Sequence, residues 1–454
     1  MVAIATDSLK TKMADLLFTE AAASADSHEY FIGIGKADTY DSSDTVATPV
    51  RSLKEEREAR NQMQSVMKVT GTSFVIPRHN WSSGAIYSAW SDSYVGIPSN
   101  SYYVMTEDNE VYICLQQGKN ASGNVNTSTV KPSYTDAGGT ETKAFRTSDG
   151  YVWKLAYAIS AARANTFLSS GFIPCQNITI DSASANTFEL QQLNIQNTAT
   201  KGAILGVEIV DGGTGYTSAP TITFKGDGTG AAATATISGG TIVKVEMNNE
   251  SSATGTGYDF ASATVTGNAE LRPIIGPYEG IGKSSLADLK SSSVMFNIKP
   301  SGAESEKFQV GNDFRQILLL KNLHHSDSAS DGGQYSGAAD KASRFLTITG
   351  TIATSNFSID DTITGGTSGV TAFINELDSS TGNKVFFQQN ADNIAGKFTD
   401  GETITAPGAS ATVDSGDKYS AVDAHSGDLL YIENRARVIR SASQTEDIKI
   451  IITV

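Results

Sequence analysis

The stretch Gly427-Asp-Leu-Leu-Tyr-Ile-Glu-Asn-Arg435, followed by Ala-Arg-Val-Ile-Arg440 and the closing segment Ile448-Lys-Ile-Ile-Ile-Thr-Val454, indicates how this chain is built. Its apolar residues come in short groups separated by polar ones, which is the pattern of strands and turns. We predict a strand, a sharp polar break, a short strand, a polar turn over 441–447 and a last strand. A terminus that lies within a strand is expected to be structural.

The composition is typical of a loop-rich β protein. Glycine makes up 42 of 454 residues, above the usual ~7%. Charged residues make up 18%, below the usual ~25%. The length predicts about three domains of ~150 residues. We therefore predict a mainly β (β-rich α+β) fold: a multi-domain antiparallel β-sandwich or barrel-like scaffold with a few N-terminal helices and two inserted small β modules.

The charge balance excludes some classes of partner. Asp and Glu number 49 against 34 Lys and Arg, a net charge of −15, which repels phosphate backbones and anionic membranes. We expect no nucleic-acid and no membrane partner. The sequence shows no signal peptide and no apolar run of ~18 residues. Two cysteines, Cys114 and Cys175, are too few for a disulfide framework and fit assembly in a reducing cytoplasm.

The first 70 residues carry the helical signal. Leu9, Met13, Leu16 and Leu17 lie on one face of a predicted helix that Asp7 or Ser8 would cap. A second helix is predicted from the capping box at 52–55 to about residue 67.

Strand patterns follow. Phe74–Trp81 is an apolar run that Pro77 interrupts. The runs 101–105 and 110–115 flank Asp108-Asn109 and predict a hairpin. Strands are also predicted over 151–157 and 314–320. We expect Cys114 and Trp153 to be buried in the core.

Two regions contain repeats. Gly212-Gly-Thr-Gly-Tyr216 returns as Gly255-Thr-Gly-Tyr258, with a predicted hairpin around Gly239-Gly240 between them. Phe357-Ser-Ile-Asp-Asp-Thr-Ile-Thr364 returns as Phe398-Thr-Asp-Gly-Glu-Thr-Ile-Thr405. Two copies are too few for a solenoid, so small barrels or sandwiches are favoured.

These patterns predict five segments along the chain. In order they are an N-terminal scaffold domain with helices and β-sheet (1–195), an inserted Gly-Tyr repeat β module (196–270), a continuation of the scaffold (271–345), an inserted β repeat module (346–417) and C-terminal strands that complete the scaffold (418–454).

No motif indicates catalysis, a cofactor or a metal site. Gly276–Ser284 resembles a phosphate-binding loop, but its first glycine is one position too early, so we predict a surface loop. Adjacent histidines such as His324 and His325 point to opposite faces of a strand, which disfavours a shared metal. Gly226–Gly230 lacks the periodic series of calcium β-rolls. The polar residues 326–328 predict a turn.

Two tryptophans lie in loop sequence and are candidates for partner contact. Trp81 and Trp90 either anchor their loops or contact a partner, since Trp is favoured at interfaces.

Four collinear blocks resemble one protein family. They are Val75–Trp81, Val111–Leu115 with Asp149–Trp153, Asp313–Ile317 and Gly427–Val454. In this order and spacing they resemble the gene product eight family of baseplate wedge proteins of contractile-tailed phages (myoviruses). The blocks together contain 50 of the 454 residues, and the two repeat regions do not match the family pattern.

The resemblance implies a non-enzymatic structural subunit of the virion tail baseplate, assembled in the host cytoplasm. Its implied partners are a second copy of itself, as a homodimer, and other baseplate wedge proteins arranged around a central hub. Arg435 and Arg437 are then candidates for polar interface contacts. The alternative function is a tail receptor-binding or carbohydrate-binding protein, and the third is an enzyme such as a polysaccharide depolymerase.

Overall fold

The computed structural model describes residues 4–22, 28–136, 138, 140–301, 307–308, 310–311, 313–326, 332–389, 395–441 and 443–454. Strands make up 39% of the chain and helices 12%, so the predicted mainly β, multi-domain fold is confirmed. The chain divides into two compact units. The first comprises 1–16, 73–295 and 452–454, and the second comprises 17–72 and 296–451. Within the described ranges, no helix is long and apolar enough to cross a membrane.

The described residues form six helices. In chain order they are α1 Asp7–Ala22, α2 Leu53–Asn61, α3 Ala161–Phe167, α4 Thr187–Asn197, α5 Ser285–Asp288 and α6 Ile352–Ser355.

Strands fill most of the remainder. The first sixteen are β1 Tyr30–Gly35, β2 Met63–Lys68, β3 Gly71–Pro77, β4 Tyr103–Met105, β5 Glu110–Gln116, β6 Phe145–Arg146, β7 Val152–Ala158, β8 Phe172–Cys175, β9 Ile204–Asp211, β10 Thr223–Gly226, β11 Thr229–Ala231, β12 Ala233–Ser238, β13 Thr241–Met247, β14 Thr254–Thr256, β15 Ala261–Thr264 and β16 Glu270–Ile275.

The other strands lie in the C-terminal half. They are β17 Ser293–Ile298, β18 Asp313–Lys321, β19 His324–His325, β20 Ala339–Lys341, β21 Arg344–Ile348, β22 Thr362–Gly365, β23 Thr371–Leu377, β24 Lys384–Gln388, β25 Thr403–Ala406, β26 Ala409–Tyr419, β27 Val422–Asp423, β28 Asp428–Ile439 and β29 Ile448–Thr453.

An aromatic core fills one part of the first unit. Strands β4, β5, β7 and β6 pair in that order, and the predicted hairpin is β4–β5, with Asn109 at φ 60° in its turn. Cys114 and Trp153 face each other in the β5–β7 ladder and are fully buried, as predicted. Stacked and edge-to-face rings of Tyr87 and Tyr151 surround the Trp153 indole.

The Gly-Tyr repeats lie in a separate set of sheets in the first unit. Strands β10, β15, β16 and β9 form one sheet, and β12 pairs with β13 across the predicted Gly239-Gly240 turn. Each repeated tyrosine packs against a glycine. A Cβ on Gly228 would lie 2.4 Å from the Tyr258 ring, and one on Gly267 would lie 2.5 Å from the Tyr216 hydroxyl. These glycines are needed because the rings leave no room for a side chain.

Helix α1 begins at Asp7, so the predicted capping by Asp7 or Ser8 is wrong. Thr6 precedes the helix, and its Oγ1 accepts the Leu9 N–H at 3.4 Å. The cap lies earlier because the chain already becomes helical at Asp7. The predicted apolar face is largely exposed, since Leu16 has 72% of its surface in solvent and the helix buries the small Ala14 instead.

The second unit contains a five-stranded sheet in the order β20-β2-β1-β18-β28. The predicted second helix begins as expected, with the Glu55 N–H donating to Ser52 Oγ, but it ends at Asn61. The predicted end near residue 67 is wrong, because strand β2 begins at Met63. The chain becomes a strand there because Met63 and Val66 are buried against the sheet partners of β2. Tertiary burial outweighs the helix propensity of this segment.

The C-terminal stretch contains two strands where three were predicted. Strand β28 runs without interruption from Asp428 to Ile439 and pairs with β18 along its length. The predicted break is wrong because the polar residues after Glu433 form a bulge that keeps the strand in its ladder. In the first unit the chain end is bound, since the Val454 N–H donates to the Ser292 carbonyl at 3.0 Å.

Strands β21 to β26 form a closed barrel in the order β21-β24-β23-β22-β25-β26. Its core contains the repeated aromatic anchors Phe357 and Phe398 and the repeated Ile363 and Ile404. In both repeats, the residue four positions after the anchor is acidic: Asp361 in the first and Glu402 in the second. Each accepts a hydrogen bond from the backbone N–H of the residue that directly follows the anchor. Asp361 accepts the Ser358 N–H at 2.8 Å, and Glu402 accepts the Thr399 N–H at 2.6 Å.

The two repeats of the barrel are related by an approximate two-fold axis. Matching residues pair with each other at two places, Phe345 with Phe386 in β21–β24 and Thr364 with Thr405 in β22–β25. The first strand of each repeat pairs with the last strand of the other, β21 with β26 and β24 with β23. The repeats are therefore interlocked, and neither closes a barrel alone. The inserted status of this region and of the Gly-Tyr region stays a prediction.

The two-fold relation predicts equal costs for equivalent core substitutions. We expect Ile363→Ala and Ile404→Ala each to destabilise the barrel by about 2–5 kcal/mol, because both side chains are fully buried in one core. Hydrogen exchange of peptides from residues 344–419 in the full chain measures this. Thr362→Ala, at an exposed position of the same sheet, is the control. Unequal losses for the two isoleucines would contradict the symmetry.

Candidate functional site

Strand β28 is the outermost strand of the second unit's sheet. Among the described residues, no strand pairs with the side of β28 that faces away from β18. Much of the strand is accessible: Leu430 and Ile439 expose 47% and 51% of their surfaces. A long strand edge of this kind presents unpaired N–H and C=O groups and is a candidate site for association.

Arg60 of helix α2 fixes the start of β28. Its guanidinium donates to the carbonyl oxygens of Ala424, Ser426 and Gly427 at 2.9, 2.7 and 2.9 Å. One rigid fork of donors thus holds the turn from which the strand leaves. Gly427 lies at φ 60°, and a Cβ there would be 2.3 Å from the Lys321 carbonyl oxygen. The glycine of the opening motif is therefore required by a close backbone approach.

The Tyr40 hydroxyl fills a gap in the ladder between β18 and β28. Phe314 lies opposite Val438 and Gln316 opposite Asn434, so β28 carries two extra residues there. Tyr40 Oη accepts the Arg435 N–H at 3.0 Å and donates to the Arg315 carbonyl oxygen. Burial raises the pKa of Tyr40, which keeps the hydroxyl protonated and able to donate.

A buried ion-pair cluster supports the same bulge. Arg315, 4% exposed, places Nε 2.8 Å from both carboxylate oxygens of Asp44 and Nη1 3.0 Å from Asp313 Oδ2. Arg437 Nε lies 2.5 Å from the same Asp313 oxygen. Two cations thus face two carboxylates, which is the balance that burial of charges requires. Removing Asp313 or Arg315, which are 6% and 4% exposed, leaves an uncompensated charge in the interior of the sheet.

The two predicted arginines both lie at this bulge. Arg435 is half-buried, and its backbone N–H is bound by Tyr40. Arg437 keeps 53% of its side chain exposed while it pairs with Asp313. Both therefore have roles within the chain, and their contact with a partner stays a prediction.

The two predicted tryptophans belong to the first unit and anchor loops there. Trp81 donates its indole N–H to Ser128 Oγ at 3.1 Å and packs against the core around Trp153. Trp90 is only 8% exposed, and its backbone N–H donates to the Cys114 carbonyl. Within this chain they offer little ring surface for a partner, and partner contact by either stays a prediction.

The first unit contains a buried acid–base pair that the sequence patterns did not reveal. Burial lowers the pKa of Lys154 to about 8 and raises the pKa of Asp288 to about 7. Lys154 Nζ donates to the Thr142 carbonyl at 2.5 Å and lines a cavity of about 270 Å³. Asp288 Oδ2 accepts the Gly282 N–H at 2.6 Å. Desolvation dominates both shifts because neither charge has a close partner of opposite sign.

The loop that resembled a phosphate-binding motif is part of this site. Residues Gly280 to Gly282 are buried, so the prediction of a surface loop is wrong there. The reason is packing: a Cβ on Gly282 would lie 3.0 Å from Ile195 and 3.1 Å from Lys154 Cε. The loop carries the backbone that holds Asp288, and Ser284 caps the short helix α5.

His324 and His325 form the short strand β19, and the His325 ring packs edge-on against Tyr335 at 5.1 Å. Among the described residues, no group of three or more His, Cys, Asp or Glu side chains is placed to hold a metal ion. Of the predicted turn at 326–328, Asp327 and Ser328 lie outside the described residues.

Comparison with known proteins adds no relative. The chain matches no protein-family model and none of the curated proteins. The candidate site therefore rests on its geometry.

The Tyr40 hydroxyl yields a direct test of the bulge. We expect Tyr40→Phe to destabilise the β18–β28 ladder by about 1–3 kcal/mol, because it leaves a buried N–H and a buried carbonyl without their partner. Hydrogen exchange of peptides covering residues 428–439 measures the loss. Tyr419→Phe, which alters an exposed phenol of the same unit, should change the exchange by less than about 0.5 kcal/mol. Equal exchange in both variants would argue against the bridge.

The Lys154–Asp288 pair predicts how stability depends on pH. Asp288 holds its proton more tightly when folded, so its contribution falls as pH rises from its ordinary pKa of 3.8 to about 7. Lys154 loses its proton more easily when folded, so its contribution rises from pH about 8 to its ordinary 10.5.

We therefore expect Asp288→Asn to remove part of the fall in the free energy of unfolding that occurs as pH rises to about 7. We expect Lys154→Met to remove part of the rise in the free energy of unfolding above about pH 8. The free energy of unfolding of each variant, measured against the wild type across pH 4–10, tests this. Asp259→Asn, at an exposed aspartate, is the control. Profiles that stay parallel to the wild type would contradict the assignment.

Proposed function

We propose that this chain is a structural subunit of the tail baseplate of a contractile-tailed phage, dimeric and joined to larger wedge proteins around the central hub. The proposal starts from the resemblance of four sequence blocks to the gene product eight family. One observation supports it most: blocks that are far apart in the sequence lie side by side in the fold.

One such pairing carries the argument. Residues of Asp313–Ile317 in β18 pair with residues of the C-terminal block in β28, for example Ile317 with Glu433. Within the second block, Cys114 in β5 pairs with Trp153 in β7. The pairing of β18 with β28 supports the proposal in one respect: two of the resembling blocks belong to the same sheet and could form part of one shared framework.

The mechanism that we propose is mechanical. Sheets with buried cores form rigid bodies, and loops and strand edges supply the contacts to other subunits. A change of tail geometry at infection would then pass through the subunit as a rigid-body shift. No catalytic step and no cofactor enters this proposal, and the acidic surface makes nucleic acid and anionic membrane poor partners.

The receptor- or carbohydrate-binding alternative has one observation in its favour. Two aromatic rings of the first unit, Phe260 and Tyr278, are 66% and 73% exposed. Lys201 lies close to Tyr278 and to the residue that precedes Phe260. Its Nζ is 4.1 Å from the Tyr278 ring centre and 4.0 Å from Asp259 Oδ1. Exposed rings beside charged groups are a surface on which a ligand can stack.

Labelling of purified virions separates the two functions. With gold-labelled antibodies against the purified chain, we expect electron microscopy to show label in a six-fold ring at the distal end of the tail, next to the sheath. Antibody preincubated with the purified chain is the control. Label at fibre tips would favour receptor binding, and particles without label would contradict both functions.

A further inference from the structure

The edge of β28 has the properties of a strand that pairs with another strand. It runs for 12 residues, about twice the usual 5–6. No described strand pairs with its outer side, and Leu430, Ala436 and Ile439 are exposed along it. Natural proteins usually block such edges with proline, short strands, charged side chains or bulges. This strand is long and has no proline, its bulge is filled on the inner side by the Tyr40 hydroxyl, and its charges follow an order that points to its occupant.

The charges of β28 are ordered by sign along the strand. Asp428 and Glu433 lie in its first half, and Arg435 and Arg437 lie in its second half. An antiparallel partner with the same sequence brings the acidic half of one strand beside the basic half of the other. Opposite charges placed directly across an antiparallel pair stabilise it, and like charges destabilise it. The strand is thus complementary to itself.

Only one central register uses this complementarity fully. In a symmetric antiparallel pair, the two-fold axis is perpendicular to the sheet and lies between the two strands. Because paired side chains point to the same face, one residue must lie directly opposite its own copy at the axis. An axis at Glu433 opposes two glutamates, and an axis at Arg435 opposes two arginines. An axis at Ala436 sets Arg435 against Arg437, and an axis at Ile432 pairs no opposite charges. An axis at Asn434 places Glu433 opposite Arg435 twice and opposes no like charges.

We propose that a second copy of this chain binds along the edge of β28, antiparallel, with the two-fold axis at Asn434. The five-stranded sheet continues across the axis into its copy. In this register Arg437 lies across from Tyr431, where a cation can stack on a ring.

The bulge of β28 is compatible with this pairing. Between Asn434 and Val438 the strand carries two extra residues relative to β18, and an even number leaves the alternation of side chains unchanged beyond the bulge. A single extra residue at Leu430 breaks the alternation there, so the pairing with the copy is assigned to Tyr431 through Arg437. The Tyr40 hydroxyl occupies the inner side of the bulge, where it binds Arg435 N–H and the Arg315 carbonyl oxygen. The ion pair of Arg437 with Asp313 holds the same segment. Both contacts fix the strand before a partner arrives, which lowers the ordering cost of association.

This inference deepens the proposed function and rests on it for the expectation of a second copy. Its test needs only the purified full chain, so a failure of the pairing is distinguishable from a failure of the virion labelling. A dimer held by β28 without label on the baseplate would overturn the function alone. Label on the baseplate with a monomeric chain would overturn the pairing alone.

Charge reversal tests the register. Sedimentation should give the wild type a mass of two 47.8 kDa chains. Arg435→Glu and Glu433→Arg should each weaken self-association by about tenfold to a hundredfold, because each variant places like charges opposite each other twice. The double variant Glu433→Arg with Arg435→Glu exchanges the charges within each pair and should restore association to within about threefold of the wild type.

One control variant guards the interpretation, and one residue is left unchanged. Lys225→Glu reverses an exposed cation on β10, an edge strand of another sheet, and should leave self-association unchanged. Arg437 is not substituted, because its loss would break an ion pair within the chain.

Cysteine cross-linking locates the axis independently. Asn434→Cys places two thiols directly across from each other. Their Cβ atoms would be about 4.5–5.5 Å apart, which is within about an ångström of the 3.5–4.5 Å found in disulfides. Two Ala436→Cys residues would be about 13 Å apart, at ~3.3 Å per residue. Only the first should form a dimer cross-link under mild oxidation. The native Cys114 and Cys175 are buried and do not compete.

The proposal is overturned by any of three results. The wild type could be monomeric at micromolar concentration, the double variant could associate as weakly as the single variants, or Ala436→Cys could cross-link as well as Asn434→Cys. Restoration in the double variant together with selective Asn434→Cys cross-linking supports it.

Discussion

Burial of strand β18 is the constraint on which the second unit depends. Eight of its nine residues are buried, and most are leucine, isoleucine or phenylalanine, but Asp313, Arg315 and Gln316 lie among them. Charges in such a strand must be paired or the fold loses several kcal/mol by rough estimate. The loop that brings Asp44 and Tyr40, and the neighbouring strand that brings Arg437, answer that need. The ion-pair cluster of the sheet thus follows from the burial of strand β18.

The site at β28 follows from the same constraint. Tyr40, from the loop that also brings Asp44 to Arg315, holds the centre of β28 in its bulge, and Arg60 separately holds its start. A strand edge fixed in this way is rigid before any partner is present. The first unit also buries ionisable groups, those of Lys154 and Asp288, but these do not form a close ion pair. Burial instead shifts the pKa of each group.

Much of the fold could be read from short-range patterns, and most of the site could not. The hairpin at Asn109, the Gly239-Gly240 turn and the barrel anchors Phe357 and Phe398 depend on neighbouring residues, so the sequence predicts them. The end of α2 was missed because burial of Met63 in a sheet is decided by strands far along the chain. Tyr40 and Asp44 join Arg315 only through the fold. One signal was available: charged residues inside the apolar run 313–320 indicate buried partners.

The interlocked barrel has a consequence for synthesis. Strand β21, the first of the barrel, pairs with β26, the last. The backbone groups on that edge of β21 therefore stay unpaired until β26 has been synthesised. On the ribosome, the first repeat therefore emerges with open edges, and the barrel closes only after the second repeat has left the exit tunnel. Non-local pairing of this kind is slow to form and exposes strand edges meanwhile. Slow translation across this region would lengthen the period during which the nascent chain depends on chaperones.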